Sequence, residues 1–422
     1  MFPQSFLYSM GIAGAIVAVT AATLALTVLP AILTVLGPRV NALAPKRLQR
    51  AAAHEAPPAE QGFWYRLSHL VMRRPAPIAV ASTALLFALG IPFTHIKFIQ
   101  ADARVLPPTA SARQVDIALT RQFPPNRTSP LEVVVGASAS SPQVKQLAAR
   151  IGSLPDVSAV APAQPAGPHD ALIAVAPVHG PLTSQTQQLV RDVRAMKAPV
   201  YVGVAGETAS FVDLEHSLAV HLPVVLAIVI GATLLVLFLF TGSILLPIKA
   251  VAMNFLTLSA MFGILVFIFQ DGHLQGMLSF RSEGALDATQ PIFLFAVGFG
   301  LATDYGVFLL SRIKEAREAG ASDAEAVAVG LERTGRIVTA AALLFAVAIG
   351  AFATSQIVFI KELGIGAALA VLIDASIIRA LLVPSLMRLL GSANWWAPRP
   401  LRRVYERFGW RDYSRRLPAT SN

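Results

Sequence analysis

Seven apolar runs divide this sequence, and each is long enough to cross the hydrocarbon core of a bilayer as an α-helix. The runs cover residues 11–37, 76–94, 221–240, 248–269, 291–312, 337–353 and 363–387. Over the whole chain 55% of the residues are hydrophobic and 14% are charged, whereas soluble domains carry about 25% charged residues. The sequence therefore predicts an α-helical polytopic membrane protein with about seven transmembrane helices.

Positive charge is concentrated in two segments that adjoin apolar runs. Residues 38–75 carry seven Lys/Arg against two Glu, and the tail from Arg388 onward carries eight Arg against two acidic residues. These surpluses account for the formal net charge of +10. Basic segments next to spanning helices mark the cytoplasmic face and attract anionic lipid headgroups. We therefore expect anionic membrane lipids, and no nucleic acid, as the partner of the linker 38–75 and the tail 391–422.

The first run, within residues 1–37, has no Lys or Arg before it and a basic flank after it. This pattern predicts a spanning helix with its N-terminus outside the cell and excludes a signal peptide, which needs a basic N-terminal flank. Seven spans then place the C-terminus in the cytoplasm. An outside start is unusual for a complete membrane protein, which raises the question of whether Met1 begins the functional unit.

A soluble pattern of about 120 residues interrupts the apolar runs at 96–216, after the second span at 76–95. Strands are predicted at 131–135, 157–160, 171–175 and 201–204, with helices at 142–151 and 183–196 between them. The order β, α, β, β, α, β is that of a split βαβ unit. We therefore expect one α+β, ferredoxin-like domain on the extracytoplasmic side of the membrane.

The remaining five runs, within residues 217–390, predict a transmembrane helix bundle. A charged, amphipathic cytoplasmic segment at 311–336 interrupts it, with a capping box that begins at Ser322. An exterior turn that holds Lys361 separates the last two spans. In the basic linker, the aromatic triplet that begins at Phe63 is either an interfacial anchor or a simple packing feature.

Asp304 and Tyr305 lie inside the run 291–312, at a depth where an ionised side chain costs at least about 2.5 kcal/mol. Ionisable residues at this depth mark functional sites by default, although a neighbouring helix can also satisfy a stray carboxylate. We expect Asp304 to take up and release a proton near neutral pH, with Tyr305 as its hydrogen-bonding partner.

A second ionisable pair, Asp374 and Arg379, lies at membrane depth in the last span. Residues five apart on an α-helix are separated by about 140°, whereas pairing favours a spacing of three or four. We therefore expect no easy bridge between these two side chains. A contact between Arg379 and Asp304, or extension of Arg379 to the membrane interface, would satisfy the guanidinium.

One internal repeat is visible in the sequence. The stretch LPAILTVLG at 29–37 ends the first span, and VPSLMRLLG at 383–391 ends the last. Both stretches lead into basic sequence in the same orientation. As a repeat, they indicate that the first span closes one structural half and that the other six spans form a second, parallel copy.

Three stretches resemble the second half of an RND-superfamily transporter of the MMPL type, the mycobacterial membrane protein large family. They are GLATDYGVFLLSR at 300–312, IDASIIRALLVPSLM at 373–387 and NWWAP at 394–398. The resemblance covers nearly the whole chain, with the first helix similar to span six of a twelve-span parent and the others similar to spans seven to twelve. It implies that 96–216 is a porter domain.

In that family, a proton relay through an Asp–Tyr pair in the membrane drives the movement of lipids or other hydrophobic cargo. Carried over, Asp304 is the proton carrier and Tyr305 its partner, with protons as the coupling ion and no other cofactor. The family's second Asp–Tyr pair, on span four, is absent here, so a complementary N-terminal half or a homo-oligomer is expected as a partner. Gly306 departs from the acidic residue expected after the Tyr, which affects cargo class or coupling.

The resemblance thus implies half of a proton-driven exporter in a bacterial cell membrane. The alternative is a non-transporting membrane scaffold or accessory subunit derived from a truncated transporter. A protein-translocation motor of the same superfamily is a more distant possibility. The sequence contains no Cys, no His pair with ligand spacing and no nucleophile–base pair, so we expect neither a metal site nor enzyme activity.

Overall fold

The computed structural model describes residues 5–41, 62–100, 102–122 and 129–409. Residues 42–61 of the predicted basic linker and 410–422 of the predicted basic tail lie outside this part of the chain.

Seven helices in the described residues are long and apolar enough to cross a membrane, which confirms a multi-pass membrane protein. Their bounds are Leu7–Leu36, Pro75–His95, Glu207–Thr241, Leu245–Gln270, Gln290–Glu318, Asp323–Thr354 and Val358–Trp395. Several run well past the apolar stretch that predicted them, because a helical hydrogen-bond ladder does not end where apolar sequence ends.

The first span consists of two helices, α1 (Ser5–Leu26) and α2 (Val28–Leu36). Pro30 cannot donate a backbone hydrogen bond to the carbonyl four residues earlier, which explains the interruption at Thr27. A 3₁₀ turn, Gly37–Asn41, follows α2.

Helix α3 (Phe63–Arg73) leads through Arg74 into the second span, α4 (Pro75–Gly90), which a 3₁₀ turn extends to His95. Trp64 and Tyr65 pack against the buried core of the bundle, whereas Phe63 is 66% exposed. Packing therefore accounts for Trp64 and Tyr65, whereas the exposed Phe63 is consistent with an interfacial anchor.

The soluble domain follows β1 (Phe98–Ile99), the 3₁₀ turn Ala103–Val105 and α5 (Ser111–Gln122). Its elements are β2 (Leu131–Val135), α6 (Pro142–Gly152), β3 (Val157–Val160), β4 (Gln164–Pro165), β5 (Ala171–Pro177), α7 (Ser184–Ala195) and β6 (Val202–Ala205). Four strands form an antiparallel sheet in the order β3-β5-β2-β6, and β4 pairs with β5. The predicted element order is confirmed, with β4 as a short addition.

Alternating apolar residues hold this sheet against its two helices. Leu131, Val133 and Val135 of β2 are fully buried, as period-2 patterning requires. Val144 and Ile151 of α6 are fully buried in the same cluster. These contacts give the soluble domain a hydrophobic core separate from that of the membrane bundle.

Helix α8 (Glu207–Thr241) joins the soluble domain to the membrane without a break. Its 35 residues span about 52 Å at 1.5 Å per residue, well beyond the roughly 30 Å of a bilayer core. Ala209 and Phe211 near its start are buried, and Ala209 belongs to the core of the soluble domain. The domain boundary predicted at residue 216 therefore falls inside a helix.

Helix α9 (Leu245–Leu265) is the most extensively buried span, and a π-helical turn, Val266–Gln270, extends it. The Gln270 side chain accepts a hydrogen bond from the Lys97 N–H at 2.7 Å and donates to the His95 carbonyl at 3.0 Å. After the short helix α10 (Gln275–Leu278), β7 (Leu286–Asp287) pairs in parallel with β1. These contacts fix the chain where it leaves the second span.

The next two spans are α11 (Gln290–Glu318) and α12 (Asp323–Gly350). The Ser322 hydroxyl accepts the Glu325 N–H at 3.3 Å, which confirms the predicted helix start. The predicted cytoplasmic segment 311–336 is not a separate element, because α11 continues through its first part and α12 runs from its second part into the membrane.

The last span is α13 (Val358–Ile373), a π-helical segment (Asp374–Leu382) and α14 (Val383–Leu390). The 3₁₀ turn Gly391–Trp395 and α15 (Arg399–Phe408) follow. Lys361 was expected in an exterior turn, but it lies in the first turns of α13 and is 3% exposed. Its ammonium donates to the carbonyls of Leu278 and Ser279.

The internal repeat has the same backbone conformation in both copies. Helices α2 and α14 each end at a glycine, with φ of +49° at Gly37 and +50° at Gly391. Each glycine N–H bonds to the carbonyl four residues earlier, and a short 3₁₀ turn follows each. A positive φ favours glycine, which accounts for the residue type at both positions.

Gly263 allows α9 to pack closely against α4. A Cβ at this position would lie 2.8 Å from Gly90 Cα and in contact with the Leu89 carbonyl, both backbone atoms that cannot rotate away. We predict that Gly263→Ala destabilises the bundle by about 1–3 kcal/mol, measured by thermal unfolding of the detergent-solubilised protein. Gly231→Ala is the control because a Cβ there meets no atom within 4 Å. Equal effects of the two substitutions would contradict close packing at Gly263.

Candidate functional site

The π-helical segment brings Asp374 and Arg379 together. The Val383 N–H bonds to the Ile378 carbonyl, five residues earlier, so residues five apart lie one turn apart here. Arg379 Nε donates to Asp374 Oδ2 at 2.6 Å, and both side chains are almost completely buried. The expectation that this pair would not bridge is wrong, because it assumed ordinary α-helical geometry.

Arg379 also contacts α11. Its Nη2 donates to the Ala302 carbonyl at 2.7 Å, and its guanidinium carbon lies 5.4 Å from the centre of the Tyr305 ring. The second distance is within the range of a cation–π interaction. Arg379 therefore connects the last span to the turn of α11 that carries Asp304 and Tyr305.

Asp304 lies on an open face of α11. Its side chain is exposed and makes no hydrogen bond or ion pair with any described residue, so Arg379 satisfies its charge elsewhere. Gly300, one turn earlier, is also exposed, and a Cβ added there would meet no atom within 4 Å. The structure thus places Tyr305, Asp374 and Arg379 together, with Asp304 beside them on the outward face.

A small cavity of about 40 Å³ lies on the inward face of the same region. Its polar lining consists of Lys249, Asn254, Thr303, Asp374 and Arg379. A site needs about 10–15 Å³ to hold one water molecule, so this cavity has room for two or three. Water there would have carboxylate, guanidinium and ammonium partners within the membrane-spanning bundle.

Sequence reasoning missed the cavity's two residues on α9. The buried Lys249 ammonium donates to Asn394 Oδ1 at 3.1 Å, and Asn254 Nδ2 donates to the Thr303 hydroxyl at 3.1 Å. The sequence predicts a tight turn at 241–247 and places Lys249 just beyond it, at the start of a span. The sequence signal that could have found them is the presence of two strongly polar residues, Lys249 and Asn254, five positions apart in a mainly apolar helix.

A second group of charged residues, of which Asp287 and Glu362 are buried, lies where α11 and α13 begin. Glu362 of α13 is 5% exposed and lines a small cavity with Asp287 of β7 and with Arg281 and Glu283 of the preceding loop. Burial raises the pKa of Glu283, and the positive charges of Arg104 and Arg113 oppose this shift. These groups lie at the starts of α11 and α13, more than ten residues before Asp304 and Asp374 along each helix. They are therefore separate from the Asp304 region.

The buried ion pair supports a prediction on stability. Arg379→Gln should destabilise the protein by about 3 kcal/mol or more, because it leaves a carboxylate buried without a counter-charge. The double substitution Asp374→Leu with Arg379→Met removes both charges and should recover most of this loss. Thermal unfolding in detergent measures both effects.

The exposed pair of Arg312 with Glu315, 2.7 Å apart, is the control. Glu315→Gln should change stability by about 1 kcal/mol at most. A double variant that is as unstable as Arg379→Gln would contradict the assignment of the loss to the unpaired Asp374 charge.

Comparison with known proteins identifies the family to which this sequence is similar. The sequence profile of the MMPL family matches residues 3–78 and 121–421. A membrane protein of Streptomyces coelicolor is 40% identical over 98% of this chain and 56% of its own length. The trehalose monomycolate exporter MmpL3 of Mycolicibacterium smegmatis is 36% identical over 97% of this chain and 44% of its own length. The heme uptake protein MmpL11 of Mycobacterium tuberculosis is 31% identical over 96% and 42%.

The chain spans about half the length of these curated relatives. The profile match covers most of the chain, including Asp304, Tyr305, Asp374 and Arg379. The chain therefore belongs to the MMPL family of membrane transport proteins.

Proposed function

We propose that this chain acts as the C-terminal half of a transporter that uses the proton-motive force to export lipids or other hydrophobic molecules. The observation that carries the proposal is the arrangement of charge at membrane depth. Arg379 is fixed between Asp374 and the turn of α11 that carries the exposed Asp304. A buried charge cluster next to an open, titratable carboxylate is what a proton-driven rearrangement requires.

In this mechanism Asp304 is the proton carrier. An ionised Asp304 side chain in an apolar layer is costly in free energy, whereas the protonated form is much less so. Proton uptake would therefore allow this face of α11 to move into apolar surroundings that exclude the ionised form. Arg379 keeps its own charge partner, Asp374, and can therefore hold the Ala302 carbonyl and the Tyr305 ring in both states. Tyr305 makes no hydrogen bond with Asp304 in this structure, and in this mechanism it would become the hydrogen-bonding partner when α11 moves.

Helix α8 would transmit the rearrangement to the soluble domain. It is continuous from the core of that domain into the bundle, and it packs against α9 and α11. The basic linker and tail favour a cytoplasmic location for the C-terminus, and residues 96–216 would then lie on the extracytoplasmic side of a bacterial cell membrane. The strand order β3-β5-β2-β6 supports a ferredoxin-like porter domain there.

Two observations support hydrophobic cargo. MmpL3 is named as an exporter of trehalose monomycolate, a lipid, and MmpL11 as a heme uptake protein. An open crevice of about 870 Å³ between α1 and helices α8, α11 and α13 has an almost entirely apolar lining, which includes Leu7, Ile292 and Leu363. Its size is within the range of small-molecule sites.

The open face of α11 indicates a missing partner. Asp304 and Gly300 are exposed on the same side of the helix, and the chain spans about half of each relative. We propose that a complementary N-terminal half, or a second copy of this chain, covers this face and supplies the polar groups that Asp304 lacks. Anionic lipids are proposed as partners of the basic sequence.

The same exposure favours one alternative. A carboxylate without a partner cannot complete a relay, so the chain alone would be a membrane scaffold or accessory subunit. The two functions differ in one measurable property, proton movement that depends on Asp304.

Proteoliposomes test the proposal with the full chain, purified together with its membrane partners. We expect an imposed pH gradient to dissipate faster than in protein-free liposomes, as reported by an entrapped pH-sensitive dye. Asp304→Asn should reduce the rate to that of protein-free liposomes, because the amide cannot carry the proton. Glu315→Gln is the control, since it removes an exposed carboxylate from the same helix.

Proton movement that persists in Asp304→Asn would remove Asp304 from the mechanism. A wild-type protein that binds partners yet dissipates no gradient would favour the scaffold.

A further inference from the structure

A cavity of about 580 Å³ lies at the end of the bundle where α15 packs, on the side opposite the soluble domain. We call it the basic pocket and define it by Lys314, Arg317, Trp395, Arg402 and Tyr405, which line it. These residues come from α11, from the 3₁₀ turn after α14 and from α15. The transport mechanism uses none of them.

Tyr405 holds α15 against the bundle. Its hydroxyl accepts a hydrogen bond from Lys314 Nζ at 3.0 Å, and Lys314 also donates to the Phe240 carbonyl at 2.8 Å. The Tyr405 ring lies so close to Gly242 that a Cβ there would meet it at 2.8 Å. The pocket is therefore a built feature of the fold, because α15 is anchored by specific contacts.

The pocket is lined by cations, some of whose donors have no acceptor. Its lining has Lys314, Arg317, Arg402 and one carboxylate, Glu318, which lies 3.9 Å from Lys314. Arg402 Nε lies 3.4 Å from Glu406, an exposed partner outside the lining. Arg317 Nε donates to Asp323 at 2.8 Å, but its Nη atoms bond to no described residue. The buried Trp395 Nε1 likewise has no acceptor in the described chain. Together these groups suit an anion with several acceptor oxygens.

The surface around the pocket favours a lipid over a soluble anion. Leu401, Val404 and Phe408 lie at helical spacing on α15 and are 38%, 41% and 62% exposed. The other face of α15 carries four Arg and one Glu. A helix of this kind lies in the headgroup layer with its apolar face towards the acyl chains. Trp396, 60% exposed beside it, is a residue type enriched at this depth.

We propose that the basic pocket binds the phosphodiester headgroup of an anionic phospholipid, with the Arg317 and Arg402 guanidinium groups as donors. This inference deepens the proposed partnership with anionic lipids by giving it a site. Basic pockets between helices at a membrane surface bind such headgroups. The binding would hold α15 on the membrane and so fix the end of α11 that Lys314 and Arg317 occupy.

The test measures phospholipid binding to the delipidated full chain in a neutral detergent, by native mass spectrometry. The probes are phosphatidylglycerol, phosphatidylcholine and inorganic phosphate. We expect phosphatidylglycerol to bind at least about ten-fold more tightly than phosphatidylcholine. Arg317→Gln with Arg402→Gln should weaken phosphatidylglycerol binding about 25-fold, since each cation near an anionic headgroup contributes about five-fold. Replacement of both by Lys should restore most of the binding.

The matched control is Arg312→Gln with Arg403→Gln, which removes the same charge from the same two helices outside the pocket. It should change the affinity by less than about two-fold, and thermal unfolding should show both doubles to be folded. If both double variants weaken phosphatidylglycerol binding equally, the effect comes from general surface charge, and this result would contradict the proposed headgroup site. Complete displacement of phosphatidylglycerol by inorganic phosphate at the same concentration would assign the pocket to a soluble anion. Because lipid binding is measured without transport, failure here leaves the proton mechanism standing.

Discussion

The buried ion pair of Asp374 with Arg379 is the interaction on which the membrane-embedded site depends. An isolated charge inside a helix bundle is expensive, and a pair is tolerated only when geometry and further hydrogen bonds are good. Here Arg379 has two partners, the Asp374 carboxylate and the Ala302 carbonyl, while its buried Nη1 bonds to no described residue. The π-helical segment is what makes the pair possible, since it converts a five-residue spacing into neighbours. This agrees with the frequent occurrence of π-helical turns at functional sites.

This pair also organises the surroundings of α11. Arg379 contacts the turn that carries Asp304 and Tyr305 from one side, while Asn254 holds Thr303 from another. The outward side of that turn stays open. One face of α11 is thus fixed by polar contacts and the other is open, which is the asymmetry that the proposed relay needs. The continuous helix α8 gives such motion a route to the soluble domain.

The sequence predicted the elements well and the site in part. The seven spans and the strands β2 and β3 follow from apolar run length and from period-2 patterning, which are local signals. The repeat at 29–37 and 383–391 was visible because both copies need the same glycine-terminated helix end. By contrast, the bridge between Asp374 and Arg379 was missed because nothing local in the sequence marks a π-helical segment. The burial of Lys249 and Lys361 depends on neighbouring helices, so hydropathy could not show it.

The exposure of Asp304 could not be predicted either, because it depends on what packs against α11. Depth in the membrane follows from position in an apolar run, but the face of the helix that a bundle covers does not. The same holds for the basic pocket, whose residues lie on elements that are distant in sequence. The count of charged residues identified the basic tail. Only the packing of α15 against the bundle shows that Arg402 lies near Lys314 and Arg317 of α11.

Solid-state NMR tests the central claim most directly, on protein in lipid bilayers with ¹⁵N-labelled arginine and ¹³C-labelled aspartate. The account predicts strong dipolar coupling between the Arg379 guanidinium and the Asp374 carboxylate, assigned by its loss in Arg379→Lys. Absence of that coupling, or coupling of Arg379 to Asp304 in its place, would contradict it.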